Sequence, residues 1–177
     1  MTGRVTQRHA RSIATAHPGT TQPLAAWIRE AAHASDRRRA DRLANLAAPL
    51  RAPGLGATLR DILDADIPGP NDEDLVEILG EIRAADAVPC LFRTAERSVR
   101  ADAPAYRLRQ KVVFSLGEIG TAQAHDRLRA MTAPPWPDPV RRHAAVELEV
   151  EDELGLGEDR VPGRCAALFP PRGTPDR

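Results

Sequence analysis

The chain has 177 residues, of which 42% are hydrophobic and only 3% aromatic, and its 25 basic residues balance 25 acidic ones. This length suits one domain or a short stack of repeated helical units, with a core built mainly from Ala, Leu, Val and Ile. A formal net charge of zero argues against a general nucleic-acid binder, because such proteins neutralise phosphates with an excess of cations.

Both ends of the chain are expected to lie outside the folded domain. Residues 1–20 show no hydrophobic periodicity, which predicts a mobile N-terminal tail. Residues 155–177 are rich in proline and glycine, which predicts an extended or disordered C-terminal tail. The folded domain is then expected over residues 21–154. Neither a membrane-spanning apolar run nor a secretory signal is evident, so we expect a cytoplasmic protein with no membrane association.

The first part of this domain predicts three helices. One runs from Pro23 to about Ala34, and Ser35 is expected to cap the next, which ends by Pro53. The third is short and stops before Pro68. Their apolar residues recur at three- and four-residue spacing: Leu24, Trp27, Ile28, Ala31, Leu43, Leu46, Ala47, Leu50, Leu59, Ile62 and Leu63.

The second part of the domain contains an internal repeat. Asn71 is a good N-cap for a fourth helix, which ends in the motif LGEI at residues 79–82. The same motif returns at residues 116–119, and a third, decayed copy begins at Asp138. Repeats of this period are typical of stacked supersecondary units. No segment shows the period-two alternation of a strand, so the sequence predicts an all-α fold.

Each unit is expected to be a pair of antiparallel helices. In the best copy, Gly117 leaves space for the close approach of a neighbouring helix, and Gly120 ends the helix in a left-handed conformation. Thr121 is expected to cap the next helix. Asp138 is expected to cap the last one, with Pro139 as its first helical residue. Neither helix of a pair can bury its apolar stripe alone, so the pairs are expected to stack.

Residues 112–120 (VVFSLGEIG) and 138–148 (DPVRRHAAVEL) resemble the second helix of phycobilisome-lyase-type HEAT-like repeats, which typically reads D-x-x-V-R-x-x-A-A-x-A-L-G-x-I-G. The resemblance covers about residues 71–153 and implies a short right-handed α-solenoid of about four helix pairs. Glu149 and Asp152 replace the two glycines in the last copy, which suits a terminal cap that faces water. The motif is specific for the fold and says little about function.

The resemblance also implies where a partner would bind, because second helices usually line the concave face of such a stack. Positions three and four apart, off the apolar stripe, form the candidate row: Asp74, Ile78, Glu81, Lys111, Ser115, Glu118, His143 and Glu147. An ordinary solvated helix face would have the same pattern. Acidic and basic residues also occur in alternating blocks, which either neutralise one another between stacked units or form patches that steer a charged partner.

No residue pattern points to catalysis, a metal or a cofactor. The histidines form no metal-binding motif, and none is followed by Glu, unlike the His-Glu iron ligands of the HEAT-like deoxyhypusine hydroxylases. Cys90 lies among apolar residues and is expected in the core. Ser115 has no evident base and is expected on a helix surface.

We therefore expect a non-enzymatic interaction or scaffold module that binds another protein or peptide. One alternative is a lyase-like or chaperone protein that holds a small molecule in the concave groove. A second alternative is nucleic-acid binding through the arginine cluster of residues 37–39 and 42, which we interpret instead as the solvated start of a helix.

Overall fold

The computed structural model describes residues 21–67, 70–98, 103 and 105–156, together with residues 8, 12, 15–17 and 19. Most of the expected tails, residues 1–20 and 155–177, therefore lies outside the described residues. Between residues 21 and 156, the described chain forms eight α-helices and one short 3-10 helix and contains no strand. The predicted all-α class is confirmed.

The helices follow one another with short connections. They are α1 (Leu24–His33), α2 (Arg37–Ala47), α3 (Leu55–Asp64), α4 (Asp72–Glu81), α5 (Val88–Arg97), α6 (Arg107–Ile119), α7 (Ala122–Met131) and α8 (Asp138–Glu147), with the 3-10 helix Ala85–Ala87 before α5. None of these described helices combines the length and the apolar character that a membrane span requires.

The helices contact one another in two series. In the odd-numbered series, α1 contacts α3, α3 contacts α5, and α5 contacts α7. In the even-numbered series, α2 contacts α4, α4 contacts α6, and α6 contacts α8. Each odd-numbered helix also packs on the even-numbered helix that follows it. One continuous core of mainly Leu, Ala, Val and Ile runs between the two series, as the composition predicts. Trp27 departs from its expected position on the apolar face, since its side chain is 40% exposed.

The connection between α1 and α2 differs from the prediction. Ser35 is not the N-cap of α2, because it takes up a left-handed conformation (φ 55°) that closes the end of α1. The backbone N–H groups of Ser35 and Asp36 donate to the carbonyls of Ala32 and Ala31, as in a Schellman motif. Asp36 is the N-cap instead, and its carboxylate accepts a hydrogen bond from the Arg39 backbone N–H at 3.1 Å.

This assignment predicts opposite effects for two adjacent substitutions. Asp36→Ala is expected to lower the free energy of unfolding by about 1 kcal/mol, because the N–H that it satisfies loses its partner. Ser35→Gly is expected to raise the free energy of unfolding, because glycine adopts a left-handed conformation without steric cost. Urea denaturation of the two variants and the parent measures both changes. A loss of stability in Ser35→Gly would contradict the assignment.

The other helix ends agree more closely with the sequence. Gly120 ends α6 with a φ of 63°, and the Thr121 side chain caps α7 by accepting from a backbone N–H at 3.2 Å, both as predicted. Asn71 occupies the N-cap position of α4, but its side chain makes no capping hydrogen bond. The residue that precedes α8 is Pro137, so Asp138 is the first residue of the helix rather than its cap.

Candidate functional site

A groove of about 520 Å³ lies between α4 and α6. Its lining residues are Glu73, Glu77, Arg107, Gln110, Lys111, Phe114, Ser115 and Glu118. The structure thus brings together three residues of the predicted binding row, which are Lys111, Ser115 and Glu118. Glu73 and Glu77 line the groove from α4, although the predicted row contains neither of them.

A very close helix contact forms one side of this groove. Gly80 of α4 faces α6, and a Cβ atom at this position would lie only 2.8 Å from both the Cα and the Oγ of Ser115. The Ser115 hydroxyl donates to the carbonyl of Val76 at 2.9 Å. Two small residues and one hydrogen bond between the helices therefore fix the position of α4 relative to α6.

The repeat-equivalent glycine makes a related contact in the next pair of helices. Gly117 of α6 faces α8, as predicted, and the atoms that a Cβ there would meet belong to the Glu147 side chain. Glu147 is the repeat equivalent of Ser115. The same two repeat positions therefore meet twice along the even-numbered helices.

Two residues of the predicted row are buried and cannot contact a partner. Ser115 is 2% exposed, so the expectation that it lies on a helix surface is wrong. Ile78 is its repeat equivalent in α4 and is 3% exposed, so it belongs to the core. The reason is that α4 packs on α2, α3 and α6, and α6 packs on α4, α5, α7 and α8, so each helix buries a wider arc than one apolar stripe. Asp74 is half-buried and Glu81 is exposed, and neither lines the groove.

The sequence did not predict the aromatic residue of the groove. Phe114 is 46% exposed, although large apolar side chains usually lie inside a domain. Its ring packs edge-on against His143 of α8, with ring centroids 5.7 Å apart. Phe114 lies one helical turn after Lys111 and one before Glu118, on the same face of α6. That spacing, in a chain with few aromatic residues, was the available signal.

His143 and Glu147 continue this surface onto α8. We call the residues Glu73, Glu77, Lys111, Phe114, Glu118, His143 and Glu147 the even-helix face. Lys111 forms an ion pair with Glu77 of α4. His143 Nδ1 donates to the carbonyl of Pro139 at 2.7 Å, which fixes the imidazole on its own helix.

The charges of the even-helix face are unevenly compensated. Partial burial raises the pKa of the Glu147 carboxyl, the nearby carboxylate of Glu118 raises it further, and His143 opposes these effects. Among the described residues, neither Glu118 nor Glu147 forms an ion pair. The part of the face around Glu118 and Glu147 is therefore negatively charged.

Other candidate chemistry lies away from this face. Cys90 is fully buried, as predicted, and its burial raises the pKa of the thiol to about 12, with Asp64 adding to the shift. Its Sγ donates to the carbonyl of Arg60. The described residues contain no group of His, Cys, Asp and Glu arranged to hold a metal ion.

The arginine cluster of α2 is solvated, as we interpreted it. Its four side chains are exposed at the beginning of the helix. Arg37 pairs with Asp41 at 3.6 Å, and Arg39 pairs with Glu30 at 3.7 Å. The acidic partners reduce the attraction of this cluster for phosphate.

Comparison of the chain with protein-family models, with curated proteins and with solved structures finds no match.

Proposed function

We propose that this protein is a non-enzymatic interaction module, built as a short right-handed HEAT-like α-solenoid whose even-numbered helices bind another protein or peptide. The two series of helix contacts support the solenoid, because stacked hairpins place first helices against first helices and second helices against second helices. The repeated contact of Gly80 with Ser115 and of Gly117 with Glu147 supports it further. The even-numbered helices would then form the concave side.

The observation that carries the binding proposal is the exposed ring of Phe114 in a groove on this face. An aromatic side chain offers a large apolar contact area with few rotatable bonds, so little conformational entropy is lost when a partner covers it. The contact with His143 restricts the ring before binding. Charged residues around the ring resemble the polar rim of a protein interface.

The same face favours a protein or peptide partner over a small molecule or a nucleic acid. Small-molecule sites are lined mainly by apolar side chains, whereas five of the eight lining residues of this groove are charged. Nucleic acid would meet the carboxylates of Glu73, Glu118 and Glu147, which repel phosphate.

We expect Phe114→Ala to weaken binding of the natural partner by about tenfold or more, because a central aromatic contact typically dominates an interface. The partner is identified by cross-linking and affinity purification of the tagged full chain from its own cells. Its affinity for the purified variants is then measured by calorimetry. Trp27→Ala is the matched control, since Trp27 is an exposed aromatic residue on α1 of the odd-numbered series.

A second pair of variants tests the position of the interface through charge. Glu118→Arg reverses a charge on the even-helix face, and Glu96→Arg reverses an exposed charge on α5. We expect only the first to reduce partner binding. Unchanged affinity in both Phe114→Ala and Glu118→Arg would overturn the proposed function.

A further inference from the structure

We propose that the bound partner segment is basic, and that an arginine or lysine side chain of it lies between Glu118 and Glu147, next to the ring of Phe114. This inference rests on the proposed function and adds the chemistry of the partner. The charges of the groove, the helix ends beside them and the exposed ring support it.

The two ends of the even-helix face differ in how their charges are neutralised. At the α4 end, Lys111 already neutralises Glu77. At the α8 end, Glu118 and Glu147 lie close enough for their charges to interact, and no described cation forms an ion pair with either. His143 is close to Glu147, but its Nδ1 is engaged by the Pro139 carbonyl. A cation supplied by a partner would complete this end of the face.

Two helix ends add to the negative potential around Glu118 and Glu147. The Glu118 carboxylate lies beside Gly80 in the last turn of α4, and the Glu147 carboxylate lies beside Gly117 in the last turn of α6. The last turn of a helix carries the negative end of its dipole, which disfavours a carboxylate and favours a cation. Both carboxylates therefore lie where a positive charge would be stabilised.

An exposed aromatic ring lies on the same face as these charges. A guanidinium or ammonium group over an aromatic face gains cation–π attraction, and the aliphatic stem of Arg or Lys can cover apolar surface at the same time. Phe114 lies one turn from Glu118 on α6 and contacts His143, which is one turn from Glu147 on α8. The ring therefore shares one face with both carboxylates, and in this proposal one long basic side chain of the partner lies across all three. A neutral segment would leave the two carboxylates without an ion pair, and an acidic segment would be repelled by them.

The test is a selection of random peptides displayed on phage against the immobilised full chain. Peptides that bind the parent but not Phe114→Ala are collected, and we expect them to be enriched in Arg and Lys about threefold over the input library. The best of them is then synthesised twice, once with arginine and once with citrulline, which has nearly the same shape without the charge. We expect citrulline to weaken binding by about tenfold or more, as for a charge-assisted contact.

The charges of the protein are tested with the double variant Glu118→Gln, Glu147→Gln, which we expect to lose the preference for arginine over citrulline. Glu96→Gln on α5 is the matched control and is expected to keep that preference. The double variant should remain folded at pH 7. The pKa of Glu147 is raised in the folded state, so its ionised form costs stability there, and neutral glutamine removes that cost. Thermal unfolding verifies this point.

The outcomes separate this inference from the proposed function. Two results would overturn the proposal that the partner segment is basic and leave the interaction module in place. One is that the Phe114-dependent peptides show no enrichment in Arg and Lys. The other is that these peptides bind the parent and the double variant with equal affinity. A library that yields no Phe114-dependent peptides would overturn both.

Discussion

Gly80→Ala is expected to lower the free energy of unfolding by about 1–3 kcal/mol, even though alanine is the better helix former by about 1 kcal/mol. The new Cβ would lie 2.8 Å from the Cα of Ser115, and a backbone atom cannot move without moving its helix. α4 and α6 would have to separate, and the hydrogen bond from Ser115 to the Val76 carbonyl would lengthen.

Gly117→Ala is the matched substitution, and its expected effect has the opposite sign. The atoms nearest to a Cβ at this position are in the Glu147 side chain, which can rotate away into solvent. The gain in helix propensity then remains, so the free energy of unfolding is expected to rise by about 0.5–1 kcal/mol. Urea denaturation followed by circular dichroism measures both variants. Destabilisation of equal size in the two would show that α6 and α8 approach each other as closely as α4 and α6.

Local chemistry explains why the sequence predicts most of the helix ends. The conformation of Gly120 and the cap at Thr121 depend on residues a few positions away, so the pattern is sufficient to place them. Ser35 and Asp36 are two good capping residues in succession, and the sequence alone does not decide between them. The end of α1 decides, because it requires one left-handed residue before α2 can begin.

The candidate site was harder to predict, because it depends on which helices pack together. Spacing of three and four residues places Ser115 and Glu118 on one face, yet the first is buried against α4 and the second is exposed. The small size of Ser115 is the feature of the sequence that distinguishes it from Glu118. A serine two positions before Gly117, on a helix with neighbours on both sides, favours close contact over solvent exposure.

The repeat position shared by Ile78, Ser115 and Glu147 shows how this packing changes along the chain. Ile78 belongs to the core, Ser115 is buried with its hydroxyl bonded to α4, and Glu147 is only half-buried. The charged residue of the three stands in α8, where the position is least buried. The sequence shows three unrelated residue types at this repeat position. The structure places Ser115 and Glu147 against the preceding even-numbered helix and Ile78 in the core.

The final prediction separates stability from binding within α6. Leu116 is fully buried in the core between the two series, so Leu116→Ala is expected to lower the free energy of unfolding by about 2–5 kcal/mol. Small domains are stable by only about 5–15 kcal/mol, so this is a large fraction of the total. Phe114→Ala, two residues earlier, removes a half-exposed ring and is expected to cost less than about 1 kcal/mol.

Thermal and urea unfolding of both variants tests this difference, because the two substitutions share a helix and differ mainly in the burial of the side chain that is removed. A small loss for Leu116→Ala would mean that α6 does not pack into a core shared by both series, and the stacked arrangement would fail. A large loss for Phe114→Ala would mean that its ring stabilises the fold. Its exposure would then no longer support a binding role, and the even-helix face would lose the residue on which the proposed interface depends.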